Sequence, residues 1–197
     1  EQIPILRHKL RLIIEQAGWL EGAHDRREAV KIFNAMPREE LFQATAVEIR
    51  QEIEAILAQY YTHDVKATLR LDPGGRSMSV MVIMPRDRYS GDVRRALSAE
   101  LLKRLDGTLL NYNLVMGGGE QARLHLQFAA PAERLQALRA EEVEDVLREL
   151  IRSWSDVLER RLGRTLSPAD ARRTALRWGA AFPAEYQAAN SPDEAMA

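Results

Sequence analysis

The chain has 197 residues, of which 46% are hydrophobic and 29% are charged, and its 28 basic and 29 acidic side chains give a net charge of −1. This composition is typical of a globular protein and excludes wholesale disorder. The charge balance excludes the strongly basic surface that would point to nucleic acid or an anionic membrane. Because the sequence has no cysteine, disulfides, thiolate metal sites and cysteine nucleophiles are excluded as well.

The start of the chain shows no targeting segment. It begins without Met, and its first residues lack the continuous apolar run of a signal peptide. No apolar run approaches the ~20 residues that a membrane-spanning helix needs. We therefore expect a cytoplasmic segment of a longer protein that has no membrane partner.

Residues 5–60 are predicted to be helical. Apolar residues recur at helical spacing in the first stretch, and Gly18 follows as a stop signal. A second helix is expected to start near Asp25. A third is expected to run from Pro37 through Tyr61 without interruption, because proline suits the first position of a helix.

The helical period then changes to a strand period of two. Apolar residues alternate with polar ones from Val65 to Leu71, which predicts a half-buried strand. The glycines of the turn 72–77, DPGGRS, tolerate positive φ, and the segment 77–84, SMSVMVIM, follows as a second strand. Because that strand is apolar on both faces, it is predicted to be central in the sheet.

A second pair of strands follows a helix that starts at Ser90 and ends at Asp106. Strand three is predicted at 108–116 and strand four at 122–128, with the glycine triplet 117–119 in the turn between them. After Pro131 an apolar seam that reaches Leu158 predicts one long helix, and Ser167, followed by Pro168, starts another.

The element order ββαββα predicts an α+β fold of the ferredoxin-like type. It has a four-stranded antiparallel sheet with both helices on one face. The predicted domains are a helical linker at 1–60, the ββαββα domain at 61–163 and a helical extension at 164–197. The other sheet face is either solvated or, as the favoured alternative, docked on another domain or subunit, because two apolar side chains lie there among polar ones. These are Met81 and Ile83 among Lys66, Thr68, Arg70, Asn111, Asn113, Arg123, His125 and Gln127.

No catalytic, cofactor-binding or metal-binding residues are predicted. The histidines His8, His24, His63 and His125 share no metal-ligand spacing, and the sequence has no P-loop, no G-x-S-x-G and no strand–GxGxxG–helix pattern. The RNA-recognition module has a similar topology, but it needs aromatic side chains on its central strands. Met, Val and Ile occupy the central strand here, so no nucleic-acid partner is expected.

The segment PRDRY at 85–89 is the clearest candidate site. Arg86 and Arg88 stand beside a predicted helix start, where they could bind a carboxylate or a phosphate. In the structural alternative, Asp87 pairs with Arg76 or Arg70 and braces the end of the hairpin.

Several ordered phrases resemble one family. The phrases PILRHKL, GAHDRREAVKIF, MPREELF, LRLDPGGRSMSVMVIMPRDRYSGDVR and RSWSDVLERRLG…AFPAEY are similar to the large bacterial NAD-specific glutamate dehydrogenases. The resemblance implies an ACT-like domain in a region far upstream of the catalytic residues. It also implies a parent enzyme that oxidises L-glutamate with NAD to 2-oxoglutarate and ammonia. This segment alone is then not an enzyme and binds no NAD itself.

The resemblance further implies regulation and assembly, because ACT domains commonly associate through their sheets and bind amino-acid effectors. The expected partners are other domains and subunits of the same enzyme, in a homo-oligomer, with an amino acid as a possible effector. The candidate contact residues are Arg76, Arg86, Asp87, Arg88, Arg123 and His125. The alternative is a free-standing ACT-type sensor, which the parent reading frame would distinguish.

Overall fold

The structure is a computed structural model that describes residues 3–62, 64–116 and 120–195. The predicted glycine turn 117–119 and His63 lie outside the described residues. The chain forms two compact units, residues 1–150 and residues 151–197.

The first unit is built on a four-stranded antiparallel sheet. Its strands are β1 (Lys66–Leu71), β2 (Ser77–Pro85), β3 (Thr108–Met116) and β4 (Gln121–Ala129), in the spatial order β1-β2-β4-β3. The predicted α+β fold and the central place of β2 are confirmed. The turn between β1 and β2 is also as predicted, because the Gly75 amide donates to the Asp72 carbonyl over 2.8 Å and Gly75 has φ +66°.

Three helices cover one face of the sheet. They are α5 (Gly91–Leu105), α6 (Ala132–Ala137) and α7 (Ala140–Leu150). Apolar residues of the two central strands lie opposite each other on this face: Val80 of β2 pairs with Leu126 of β4, and Val82 pairs with Leu124. All four of these side chains are buried, together with Leu97, Leu101, Leu105, Phe128, Val143 and Leu147.

The opposite face is covered by the helices that precede the sheet. They are α1 (Pro4–Ala17), α2 (His24–Ala35), α3 (Arg38–Gln43) and α4 (Ala46–Ala58), followed by a 3₁₀ turn, Gln59–Tyr61. Met81 and Ile83 belong to one buried cluster with residues of these helices, among them Ile13, Ile32, Phe33, Ile49, Ile53 and Ile56. This face was predicted to be covered by another domain or subunit, and the helical segment that precedes the sheet domain buries Met81 and Ile83. The apolar stripes of the chain's own helices bury it.

Two helices predicted to be continuous are broken. Thr45 accepts a hydrogen bond from the Glu48 amide while the Glu48 carboxylate accepts one from the Thr45 amide, and this capping box starts α4 separately from α3. Ser153 and Asp156 form a second capping box, at the start of the helix Trp154–Leu162. The helix predicted after Pro131 is three helices, α6, α7 and α8 (Trp154–Leu162), and this capping box marks the start of the last one.

The second unit is helical. It contains α8, α9 (Pro168–Ala181), α10 (Ala184–Ala189) and α11 (Pro192–Ala195), and Ser167 caps α9 as predicted. Phe182 lies at the centre of an aromatic group, with ring centroids 5.4 Å from Trp154 and 4.6 Å from Tyr186. Among the described residues, no helix is long and apolar enough to span a membrane.

Candidate functional site

The six candidate residues occupy three separate places. Arg76 is exposed in the turn before β2, and Arg86 follows the other end of that strand. At about 3.3 Å per residue, the nine residues of β2 separate the two ends by roughly 30 Å. Arg123 and His125 lie on β4, buried on the face that α1–α4 cover. The candidates therefore do not converge on one site.

The PRDRY segment is an exposed corner between β2 and α5. Arg86–Arg88 form one turn of 3₁₀ helix, and the Arg86 amide donates to the Glu120 carbonyl over 2.7 Å. The Asp87 carboxylate lies 3.7 Å from the Arg88 guanidinium. Asp87 therefore pairs with its neighbour Arg88. The structural alternative had paired Asp87 with Arg76 or Arg70.

A layer of polar side chains is buried between the sheet and the preceding helices. Its centre is Glu40 of α3, whose carboxylate accepts hydrogen bonds from the Arg70 guanidinium of β1 and the Ser79 hydroxyl of β2. Arg70 and Ser79 are directly paired across the two strands. One carboxylate thus fixes a helix to two neighbouring strands through a charge-assisted network.

Two titratable groups in this layer have strongly shifted pKa values. Burial lowers the pKa of His125 to about 4, and no described residue accepts or donates a hydrogen bond at its Nδ1. Burial, reinforced by the negative charge of Glu40, raises the pKa of Glu52 to about 7. His125 borders a space of only about 20 Å³, which has room for one water molecule but not for a substrate. The layer is therefore a structural one.

A much larger cavity, of about 780 Å³, lies at the end of the sheet where β2 finishes and β4 begins. The 3₁₀ turn after α4 and one side of α2 complete its wall. Two polar residues of β4 border it and are buried, Gln121 with 8% and Arg123 with 5% of its surface exposed. The other polar and charged lining residues are His24, Glu28, Lys31, Gln59, Tyr60, Thr62, Asp64 and Glu120.

The surroundings of these two side chains differ. Burial lowers the pKa of Arg123, and the electrostatic interaction with Tyr60 opposes that shift. The amide nitrogen and oxygen of Gln121 are both buried and both unpaired. Sequence reasoning named Arg123 but missed Gln121. The only available signal was its position two residues before Arg123, which places both side chains on the same face of a strand.

The described residues contain no group of three or more His, Asp or Glu side chains that could hold a metal ion. Gly74 and Gly75 lie in a β-hairpin turn, so they do not form the strand-to-helix phosphate loop of a dinucleotide site.

Three family models match the chain in order. They are "Glutamate dehydrogenase, helical motif 1" at residues 3–60, "Glutamate dehydrogenase, ACT2 domain" at residues 66–155 and "Glutamate dehydrogenase, helical motif 2" at residues 161–197. The fold and these matches define an ACT-type ββαββα domain with a helical motif before it and another after it.

Similar proteins carry the same family name. The chain is 29% identical over 94% of its length to the NAD-specific glutamate dehydrogenase of Halomonas elongata. It is 26% identical over 98% to that of Pseudomonas aeruginosa and 24% identical over 99% to that of Mycobacterium tuberculosis. The chain belongs to the NAD-specific glutamate dehydrogenase family. It spans only 12–13% of the length of these three relatives.

Proposed function

We propose that this chain is a non-catalytic segment that assembles and regulates an NAD-dependent glutamate dehydrogenase. The reaction of the whole enzyme is then the oxidation of L-glutamate with NAD to 2-oxoglutarate and ammonia. The names of the relatives support this parent activity. The regulatory role is supported by the ACT-type fold, which matches a glutamate dehydrogenase ACT2 domain.

The observation that carries the assembly role is the open edge of β3. This nine-residue strand is at the edge of the sheet, and Leu110, Tyr112 and Met116 are 53%, 48% and 41% exposed. Edge strands in natural proteins are usually protected by charged side chains, proline or bulges. This strand contains no charged residue and no proline, and its one irregularity is a bulge between Leu109 and Asn111.

A second copy of the same strand is the partner that fits this edge. Two antiparallel copies of β3 related by a two-fold axis bury the same surface from both sides, as most homo-oligomers do. Because β3 is uncharged, such a pair brings no like charges together. The sheets of two subunits would then continue into each other through β3.

Lysine at both ends of the β3 edge should weaken the assembly of the full-length enzyme that carries this chain. We expect Leu110→Lys with Met116→Lys to raise the dissociation constant of the oligomer roughly tenfold or more, since lysine is a natural block to edge pairing. Sedimentation velocity at several protein concentrations measures this.

The matched control is Leu20→Lys with Val47→Lys, which places lysine at two other exposed apolar positions of the first unit. The control should assemble as the wild type does. The turnover number of the β3 variant should recover at concentrations that restore assembly, because the strand takes no part in the chemistry. Wild-type assembly of the β3 variant would refute pairing through this edge.

The corner at Arg86 and Arg88 is proposed as a second contact, with an acidic side chain of another domain or subunit. Arg86→Ala with Arg88→Ala in the full-length enzyme should raise the dissociation constant of the assembly roughly fivefold, with a smaller effect at high salt. The control Arg172→Ala with Arg177→Ala removes two exposed arginines from α9. Assembly, activity and effector response that all match the control would exclude the corner as a contact.

A further inference from the structure

The sheet has a second edge, at β1, where every second backbone amide faces away from the sheet. In the described sheet, β2 is the one strand that neighbours β1. The Asp72 amide, just past the end of β1, donates to the Ser77 carbonyl over 2.9 Å and therefore faces β2. Because successive amides of an antiparallel strand point to opposite sides, those of Ala67, Leu69 and Leu71 face outward. A strand of another chain could add to the sheet there, as it could at β3.

One helix residue occupies this outer edge. The Glu144 carboxylate of α7 accepts a hydrogen bond from the Ala67 amide over 3.0 Å, and only 6% of Glu144 is exposed. Lys66 and Arg148 hold the same carboxylate at 3.0 Å and 3.2 Å. Burial alone would raise the pKa of Glu144, but the hydrogen bonds from the Ala67 amide and Lys66 outweigh burial and keep this pKa below its ordinary value. The group at the edge is therefore a carboxylate ion at neutral pH.

The Glu144 carboxylate is also tied to the segment that enters β1. The Arg148 guanidinium that holds it lies 3.0 Å from the Asp64 carboxylate, which accepts from the Val65 amide over 2.8 Å. A strand that approached this edge would need to place one of its carbonyl groups where the Glu144 carboxylate lies. The approach is costly, because a buried carboxylate would lose the Ala67 amide as its donor.

The β3 edge differs in this respect. The Tyr112 amide donates to the side chain of Asn111 in the same strand, and among the described residues no helix carboxylate accepts from a β3 amide. The number of open edges determines what assembles. A sheet with two open edges adds a further sheet at each and grows into an open-ended chain of subunits, whereas a sheet with one open edge forms a closed pair.

We propose that Glu144 closes the β1 edge and so reserves sheet pairing between copies of this chain for β3. This inference rests on the function proposed above, because closure of β1 limits the assembly only if β3 is the edge that pairs. Replacing Glu144 with alanine should then allow the assembly to grow beyond its wild-type size as the protein concentration rises.

The decisive test uses the 197-residue chain with its β3 edge already blocked by Leu110→Lys and Met116→Lys. In this background Glu144→Ala should create a new self-association through β1, with a dissociation constant roughly tenfold or more below that of the parent variant. Glu142→Ala is the matched control, since it removes the same charge from an exposed position of α7, and it should associate no more than the parent. Sedimentation velocity at several protein concentrations measures the association.

Two further measurements distinguish pairing through β1 from aggregation of a misfolded variant. Adding Leu71→Pro removes one outward amide, leaves every amide that faces β2 in place, and should abolish the new association. The second measurement needs no substitution. In the unmodified chain, hydrogen exchange followed by NMR should show the Ala67 amide exchanging roughly tenfold or more slowly than the Leu69 amide, which faces the same way.

Three results would overturn the closure of β1. These are association of Glu144→Ala no stronger than that of Glu142→Ala, an association that Leu71→Pro leaves unchanged, and equally fast exchange of the Ala67 and Leu69 amides. Failure of the proposed β3 pairing has a different signature, because it is wild-type assembly of the β3 variant before Glu144 is replaced.

Discussion

Replacing Glu40 with alanine should lower the free energy of unfolding of the first unit by about 3–5 kcal/mol. The Glu40 carboxylate is the partner of Arg70, whose side chain is buried, and it also accepts from the Ser79 hydroxyl. Without Glu40, a guanidinium and a hydroxyl remain buried without that acceptor. The cost is large because the guanidinium is almost completely buried, so that little water can replace the carboxylate. Urea unfolding followed by circular dichroism gives the free energy.

Two further variants separate this effect from a general loss of helix. Glu39→Ala changes the neighbouring, exposed carboxylate of α3 and should shift the free energy by no more than about 0.5 kcal/mol. The double variant Glu40→Ala with Arg70→Met removes both charges and should be more stable than Glu40→Ala alone. Equal losses in Glu39→Ala and Glu40→Ala, or a double variant less stable than the single one, would show that the pair does not hold the layer together.

The position of the Glu40 network explains why the helical motif and the sheet form one unit. Met81 and Ile83 supply an apolar patch for α1–α4, but apolar contacts alone allow a helix to slide. The Glu40 carboxylate reaches β1 and β2 at a single pair of opposed residues and so fixes the position of α3 along the strands. We infer that this polar layer specifies the docking position, while the apolar cluster supplies most of the binding free energy.

The strands and their order were accessible from the sequence because their signals are local. Alternation with period two defines β1 and β4, and the double-sided apolar pattern of 77–84 indicated the central place of β2. The helix breaks were missed although their signals are also local. Thr45 with Glu48 and Ser153 with Asp156 are capping boxes, and each starts a new helix inside what is otherwise a continuous helical periodicity.

The candidate site was only partly predictable, because its contacts join residues that are far apart in the chain. Glu40 meets Arg70 from 30 residues away, and no local pattern selects that carboxylate over Glu39 beside it. The sheet face was correctly predicted to be covered, since Met81 and Ile83 are unusual on an open surface. What covers it depends on the path of the chain through α1–α4.

The pH dependence of stability should show two opposite contributions from the buried layer. Glu52, with a pKa of about 7 in the folded protein against an ordinary 4.5, stabilises the fold fully below pH 4.5 and loses that contribution as the pH rises towards 7. His125, with a folded pKa of about 4 against an ordinary 6.5, stabilises the fold above pH 6.5 and loses that contribution as the pH falls towards 4. Each group contributes about 3 kcal/mol across its window.

Between pH 4.5 and 6.5 the two contributions change in opposite directions and nearly cancel. The free energy of unfolding of the wild type should therefore depend little on pH from these two groups, whereas each single substitution should leave the pH dependence of the other group measurable. Relative to the wild type, Glu52→Gln should gain stability as the pH rises from 4.5 to 7, and His125→Gln should gain stability as the pH falls from 6.5 to 4. The double variant should differ from the wild type by a nearly constant amount within the shared window. Urea unfolding at half-unit pH intervals measures these differences. Only their slopes with pH matter, because a pH-independent loss of packing shifts each profile by a constant. Parallel profiles for the two single variants would mean that burial does not hold Glu52 protonated and His125 neutral in the folded layer.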